Sequence, residues 1–547
     1  MTGRKLKILH IGNVANYAYN IGKVLQTDRI ESHAINWDYY HFASRPEWEE
    51  ADFDPADIGD HYFPKIPPAV VTGFARPHWY VHGPRHLATL YLIALNERKR
   101  VAAWLLRLAL DRHLRRLADP AFRRGTAAPR LAGVLESLCL DLMGEGKGLT
   151  KRAVAERLRR AFQRKPEAPP APAAPAVTPQ ADPPPPPPPP ILRERPRLVP
   201  RRADRPGAPF DERVAGLIAE YAEAYPGRGF DPVLLRQFES SLPLLQRLFS
   251  QYDLVIGYAI DGIWPLMAGR PYMAYEFGTI RNIPFEDNAQ GRLAYLTYRR
   301  AARTIVTNPD NEEPAKALGL DHFFLPHVIN ESGLPDEAEA AAFRAALTAR
   351  VGGDFFVFHP PRQHWDEQRD TNWDKGNDHL FRGFARLVRE TAPGARCICV
   401  AWGESVARSR QLVEQLGIAG NVVWIEPQPH RRMMRYIAAA DVVADQFSLS
   451  TFGGIPPKAL YLGKPVVTSF DPGLHAWCYA EMPPVIAARD ADGIADALAR
   501  LHADAAYRAA VGAAGHAWYR AHNSNDRIRE ILGARIEELL AEPPRRG

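Results

Sequence analysis

Cysteine is scarce: the 547-residue chain has four, Cys139, Cys397, Cys399 and Cys478. Their number and scatter exclude a disulfide framework and a four-thiolate zinc site, and a reducing cytoplasm is the expected compartment. Long apolar runs are missing too. The nearest, Leu87 to Leu110, is broken by Glu97, Arg98, Lys99, Arg100 and Arg107, short of the ~18 uninterrupted residues that suggest a membrane span. In the opening MTGRKLKILHIGNVANYAYN the apolar stretch is interrupted by His10, Gly12 and Asn13, so it reads as a first strand rather than a secretory leader. A soluble or membrane-peripheral protein is expected. After that strand the fingerprint G-x-G-x-x-G is absent, which removes the main signal of an NAD enzyme.

What the chain has in excess is proline, 50 residues, concentrated between 166 and 209, where an Ala/Pro tract runs into eight consecutive prolines, Pro183 to Pro190. That composition builds no packed core. It reads as an extended spacer, or as a ligand for a proline-recognising domain. In residues 98–165 the Lys and Arg residues outnumber Asp and Glu by more than the whole chain's net charge of +6, so the rest of the protein is net acidic. Apolar residues at helical spacing, as in Trp104, Leu105, Leu108, Leu110 and Leu114, predict helices with one basic face there. Such a face is either simply solvated or meets an anionic membrane surface or an acidic partner. Few aromatics interleave these charges, which argues against nucleic acid.

Elsewhere short β-branched runs alternate with amphipathic stretches. Leu6 to Ile11, Leu254 to Ile256 and Thr304 to Thr307 are strand-like in the first half. In the second half, so are Phe355 to Phe358, Cys397 to Val400, Val422 to Ile425, Val442 to Ala444 and Val466 to Thr468. Between them lie helical patterns such as Leu380, Phe381, Phe384, Leu387 and Val388. Alternation of this kind implies βαβ units and a parallel sheet in each half. The expectation is an α/β protein of two doubly wound, Rossmann-like domains facing a cleft, with ligands beyond the carboxyl ends of the strands.

Three strand ends carry candidate chemistry. After the first, Asn13 and Asn16 can cap the following helix or bind sugar hydroxyls. Phe355 to Phe358 runs into His359-Pro360-Pro361-Arg362, and thirteen residues on Lys375-Gly376 opens a helix. Two cations beside a helix N-terminus suit a diphosphate. The third strand ends at Asp445. It leads through Ser450-Thr451-Phe452-Gly453-Gly454-Ile455-Pro456-Pro457-Lys458-Ala459 to Gly463-Lys464-Pro465-Val466, a glycine loop, a proline that can start a helix, and a new strand.

This last segment resembles the donor-site region of retaining glycosyltransferases of the GT-B fold, family 4 type, whose pattern is E-x-F-G-x-x-x-x-E-A followed by GKPV. The first strand with its Asn-rich loop, Arg362 with Lys375-Gly376, and Tyr275-Glu-Phe-Gly-Thr-Ile-Arg281 followed by Pro284-Phe-Glu-Asp287 agree with it. The resemblance covers residues 1 to about 55 and 250 to 520. It departs at the two family glutamates, where this chain has Ser450 and Lys458. It implies transfer of a sugar from a nucleotide diphosphate sugar with retention, to a glycan, lipid-linked or other cell-envelope acceptor, with no cofactor and no metal. Arg362, Lys375 and Asp445 are then the catalytic candidates. Asn13, Gly403, Glu404, Ser450, Phe452, Gly453, Gly454 and Lys458 are the donor-binding ones, and Asn16, Glu276, Arg281 and Glu286 lie on the acceptor side. The two D-x-D triplets, Asp52-Phe-Asp54 and Asp490-Ala-Asp492, lack His or Cys companions at ligand spacing. A degenerate GT-B scaffold and a GT-B sugar epimerase are the alternatives.

The expected organisation is a first lobe in two parts, 1–85 and 210–330, split by a basic helical insertion at 86–165 and a proline-rich linker at 166–209. A donor lobe over 331–520 and a terminal helix over 521–547 follow.

Overall fold

The computed structural model describes residues 4–37, 41–55, 65–118, 195–198, 209–365 and 374–542. The proline-rich linker, apart from 195–198 and Pro209, and the part of the basic segment beyond residue 118 lie outside the described residues.

Seven strands make the first sheet: β1 (Leu6–Ile11), β2 (Ile30–Trp37), β3 (Tyr80–Gly83), β4 (Leu254–Tyr258), β5 (Tyr272–Tyr275), β6 (Arg303–Val306) and β7 (His322–Phe324). Their order is β3-β2-β1-β4-β5-β6-β7, and every pairing is parallel. The second sheet contains β8 (Phe356–His359), β9 (Arg396–Val400), β10 (Val422–Ile425), β11 (Val442–Ala444), β12 (Val466–Thr468) and β13 (Ile486–Ala487), in the order β10-β9-β8-β11-β12-β13, again all parallel. Both are doubly wound. Strand order reverses between β1 and β4 in one lobe and between β8 and β11 in the other, and each reversal opens a crevice at the carboxyl ends. Two Rossmann-like lobes facing a cleft are the GT-B architecture.

Helices cover both faces of each sheet because their apolar stripes recur at helical spacing. Leu380, Phe381, Phe384 and Leu387 of the helix Asn377–Glu390 are buried beside Val357 and Cys397, strand residues of the second sheet. The helices Arg85–Asn96 and Arg100–Ala118, read from sequence as part of an insertion, pack into the first lobe's own core. Leu90, Leu92, Ala102, Leu106 and Leu110 are buried there together with Leu9, Ile35 and Val81 of the sheet. The apolar half of this amphipathic pair faces the sheet; its charged half is what stands out in the sequence.

The chain finally returns to its starting lobe. The helix Asn525–Ala541 buries Ile528, Leu532 and Ile536 against Ile21, Val24 and Leu25 of the first lobe. The crossing is pinned: Asn523 donates to the carbonyl of His327 at 3.2 Å, and Glu331 accepts from the Tyr519 hydroxyl at 2.7 Å and from the backbone N–H of Asn525 at 2.9 Å.

Candidate functional site

The carboxyl end of β8 leads directly to the cleft. Arg362 lies with its guanidinium carbon 5.9 Å from the centre of the Trp402 ring, while Trp402 and Gln363 are joined through their backbones at 2.8 Å. Gly403 permits this approach. Its φ is +107°, and a Cβ there would meet the Gln363 carbonyl oxygen at 2.4 Å and Arg362 Cγ at 2.5 Å, so no side chain fits. Glu404 beside it is exposed and faces His364 at 3.8 Å.

The second cation comes from the loop ahead of the helix Asn377–Glu390. Gly376, at φ +63°, caps that helix, and its N–H donates to Asp374 at 2.6 Å. Asn377 ties the loop to β8 by donating from its side-chain amide to His359 Nε2 at 2.8 Å, and its Oδ1 accepts from the His364 backbone N–H at 3.0 Å. So held, Lys375 donates from Nζ to Gln446 Oε1 at 2.6 Å. Burial pulls its pKa down to about 8, with Arg362 and Arg281 pulling the same way and Asp445 opposing them. Asp445, just past β11, is pushed up to about 6 by burial, against the attraction of Lys375. Two cations from the loop after β8 and one from the opposite lobe therefore act on one volume. Asp445 opposes their positive field, although burial makes its own ionisation less favourable than that of an exposed carboxyl.

Of the loop residues predicted to bind donor, Gly453 and Gly454 border open space. A Cβ on Gly453 would touch nothing within 4 Å, and one on Gly454 would stop 3.9 Å from the Tyr17 hydroxyl of the first lobe. Phe452 is instead a core residue, 1% exposed and packed with His475, Tyr479 and Trp518. Ser450 accepts the backbone N–H of Asp471 at 2.6 Å, which ties it to the loop after β12. Lys458 is half-buried, its pKa lowered by desolvation, and the charge that opposes this is Glu49 of the first lobe.

On the other side of the cleft Arg281 forms a two-pronged ion pair with Asp310, at 2.5 and 2.8 Å. It is the acceptor-side candidate that faces Lys375. The other three acceptor-side candidates, Asn16, Glu276 and Glu286, and the donor-side Asn13 are engaged elsewhere. Asn13 donates to Asn16 at 2.9 Å and to the Ser44 carbonyl at 2.7 Å, and accepts from the Tyr19 N–H at 3.0 Å. Asn16 donates to the Arg45 carbonyl at 2.9 Å. These two asparagines knit the first loop to residues 44–45, and Asn13 also accepts from the first turn of the helix Tyr17–Leu25. Glu276 is fully buried. It accepts from Asn311 at 2.6 Å and from the N–H of Gly278, fixing the turn that carries Arg281. Glu286 accepts from Asn288 at 2.9 Å on the first lobe's rim.

Neither D-x-D triplet gathers a site. Asp52 pairs with Arg432 and Arg435 at 3.3 and 2.6 Å, and Asp54 with Arg432 at 3.6 Å, all across the lobe boundary. Asp490 caps the helix Ala491–Ala503, and Asp492 pairs with Arg386 at 3.1 Å. Sequence reasoning missed Gln446, Trp402 and Asp310. Gln446 was findable, since it follows Asp445 beyond a strand end, whereas Trp402 and Asp310 acquire their roles only through tertiary contacts.

Residues 369–518 match the family model described as glycosyl transferases group 1. A curated relative from Corynebacterium glutamicum is 28% identical over 179 residues. It is a GDP-mannose-dependent monoacylated alpha-(1-6)-phosphatidylinositol monomannoside mannosyltransferase, and the match covers 31% of this chain and 45% of that protein, less than half its length. Among solved structures, the Anabaena protein HepE in complex with UDP and glucose is 17% identical, with a TM-score of 0.45 over 56% of this chain and 82% of that one. Sucrose-phosphate synthase from Thermosynechococcus elongatus is 20% identical, with a TM-score of 0.44 over 57% and 81%. The segment that matches the glycosyl transferases group 1 model thus spans most of the second lobe, with Lys375 and the glycine loop inside it, beside a first Rossmann-like lobe in the GT-B arrangement.

Proposed function

We propose that the protein transfers a glycosyl unit from a nucleotide diphosphate sugar to an acceptor seated on the first lobe, with retention at the anomeric carbon, as a family 4 type enzyme. The observation that carries this reading is the convergence of Arg362 and Lys375 from the second lobe with Arg281 from the first. In the transfer, the bond from the anomeric carbon to the diphosphate oxygen breaks and a bond to the acceptor oxygen forms on the same face. The acceptor proton leaves with the diphosphate. Negative charge grows on the departing oxygen, and fixed cations beside the N-terminus of the helix Asn377–Glu390 stabilise it without reorganising. In this reading Asp445 accepts a hydrogen bond from the sugar. These residues supply the charge compensation themselves, so the reading calls for no cofactor.

A thermal-shift and titration panel of UDP, GDP, ADP and TDP sugars tests the proposal. One of them should stabilise the protein, and Arg362→Ala should remove the effect. Ser450 and Lys458, standing where the family has glutamates, favour a second reading, a scaffold that has lost catalysis; it predicts no stabilisation by any of the four.

Contact with an anionic membrane belongs to the same proposal. Among the described residues no helix is long and apolar enough to cross a membrane. The helix Arg100–Ala118, however, exposes Val101, Trp104 and Leu108, at 65, 60 and 44%. Arg115 is exposed on the same helical face, an arrangement that suits shallow insertion among acidic headgroups.

A further inference from the structure

The crevice of the first lobe, between β1 and β4, contains a group of side chains at the edge of the core that the diphosphate site does not use. β4 ends at Tyr258, and the chain turns through Ala259, whose φ of +51° is a left-handed conformation that a side-chain-bearing residue seldom adopts. That turn delivers Asp261 onto the loop after β1. A Cβ on Gly12 would lie 2.3 Å from Asp261 Oδ2, so this glycine, at φ +88°, is what admits the carboxylate. Gly257 and Gly262 serve the same end, since a Cβ on Gly257 would fall 2.4 Å from the Gly262 Cα. Two glycine contacts and a strained alanine thus hold one acidic side chain at the topological switch point.

Its surroundings are aromatic. The Trp264 side chain hydrogen-bonds Asp261, and burial pushes the carboxyl up to about 7. Trp264 meets Trp37, the last residue of β2, edge to face at 5.3 Å, and Phe238 at 4.7 Å. Arg85, at the start of the helix Arg85–Asn96, places its guanidinium carbon 4.2 Å from the centre of the Trp264 ring. The indole N–H of Trp37 is a buried donor with no hydrogen-bond partner. A buried donor left unmet is costly unless a ligand completes it.

We infer that Asp261, Trp37, Trp264 and Arg85 form the acceptor subsite, and that it takes a neutral hexopyranose ring, the terminal sugar of the acceptor. The assignment rests on the glycosyltransferase reading. A carboxylate accepts two vicinal hydroxyl protons, the indole N–H and the guanidinium donate to ring or hydroxyl oxygens, and the tryptophan surfaces meet the ring's C–H face. A phosphate or carboxylate ligand is disfavoured, because Asp261 would confront it. An aliphatic chain would leave the acidic, indole and guanidinium groups unsatisfied.

Saturation-transfer NMR of the full chain with methyl α-mannopyranoside, methyl α-glucopyranoside and methyl α-galactopyranoside tests this, alongside titration with UDP and GDP. At least one glycoside should give signal. Asp261→Asn, which keeps shape, and Trp264→Phe, which keeps the contact with Phe238, should each weaken its binding about tenfold or more, the loss of a hydrogen bond to a charged group. Nucleotide affinity and thermal midpoint should stay unchanged. Absence of signal from all three glycosides, or signal undiminished in both variants, overturns the subsite. Glycoside binding that follows the variants in a protein that binds neither nucleotide keeps the subsite and overturns the transferase reading instead.

Discussion

Lys375 holds its proton loosely, and this gives the donor site a pH signature. A diphosphate is bound by the protonated ammonium, so affinity is full below a pKa of about 8 and declines as pH rises through it. Titration of the nucleotide diphosphate at pH 7, 8 and 9 should show a progressively weaker Kd, and Lys375→Ala should flatten the profile while weakening binding throughout. Arg362→Ala and Lys375→Ala should each lower turnover about 10²-fold or more, the usual loss for one transition-state donor. Protein that turned over donor normally without either cation would place the diphosphate elsewhere. Both cations were legible in the sequence, because the rule that ligands sit at strand carboxyl ends needs only the strand and its first few successors. Phe452, Asn13 and Glu276 were misplaced for the converse reason. A motif position says that a residue is near a site, whereas its partners, here an aromatic core, the Ser44 carbonyl and Asn311, are set by segments distant in sequence.

The helix Arg100–Ala118 presents two faces with opposite assignments. Leu106, fully buried in the first lobe's core, should not tolerate charge: Leu106→Asp should cost on the order of 3 kcal/mol or more and lower the thermal midpoint. Trp104→Ala should leave that midpoint unchanged and reduce binding to phosphatidylglycerol vesicles, with the residual binding sensitive to salt. Equal vesicle binding by the Trp104 variant would assign the contact to another surface. Strand detection shows the same dependence on environment. The eight runs recognised from sequence are apolar or β-branched and match β1, β4, β6, β8, β9, β10, β11 and β12. β2 escaped because its buried positions include Ser32 and His33, polar side chains satisfied by His10 at 2.8 Å and Tyr252 at 2.7 Å. β3, β5, β7 and β13 are two to four residues long and carry little pattern at all.

Across the whole molecule the lobes are joined by charge as well as by chain. Asp52 and Asp54 meet Arg432 and Arg435, Phe42 meets Trp402 edge to face at 6.3 Å, and Glu49 lies 3.4 Å from His430. Each half-exposed pair is worth at most about 1 kcal/mol, and salt weakens it further. The Asp52 and Asp54 pairs can therefore part without unfolding anything, whereas Glu49, His430 and Phe42 are buried and hold the boundary more firmly. Asp52→Ala with Arg435→Ala should increase the radius of gyration in small-angle scattering at low salt, and wild type should approach the same value at high salt. No change in either case would mean that the hinge alone sets the cleft. Lys458→Glu adds a second negative charge opposite Glu49 and should loosen the same boundary. None of this was legible in the sequence, where the Asp52 and Asp54 pattern looked like a chance metal motif.

The return of the helix Asn525–Ala541 to the first lobe makes the polypeptide mechanically a closed loop. Because Asn523 and Glu331 bind the outgoing and incoming strands of chain to each other, the two crossings act as one pin, and rotation about it is the freedom left to the lobes. A single cut in the outgoing segment between Glu331 and Asp336 would consequently not release two fragments. The nicked protein should migrate as one species in gel filtration and separate only in denaturant, since the second crossing and the buried Ile528, Leu532 and Ile536 still bolt its halves together.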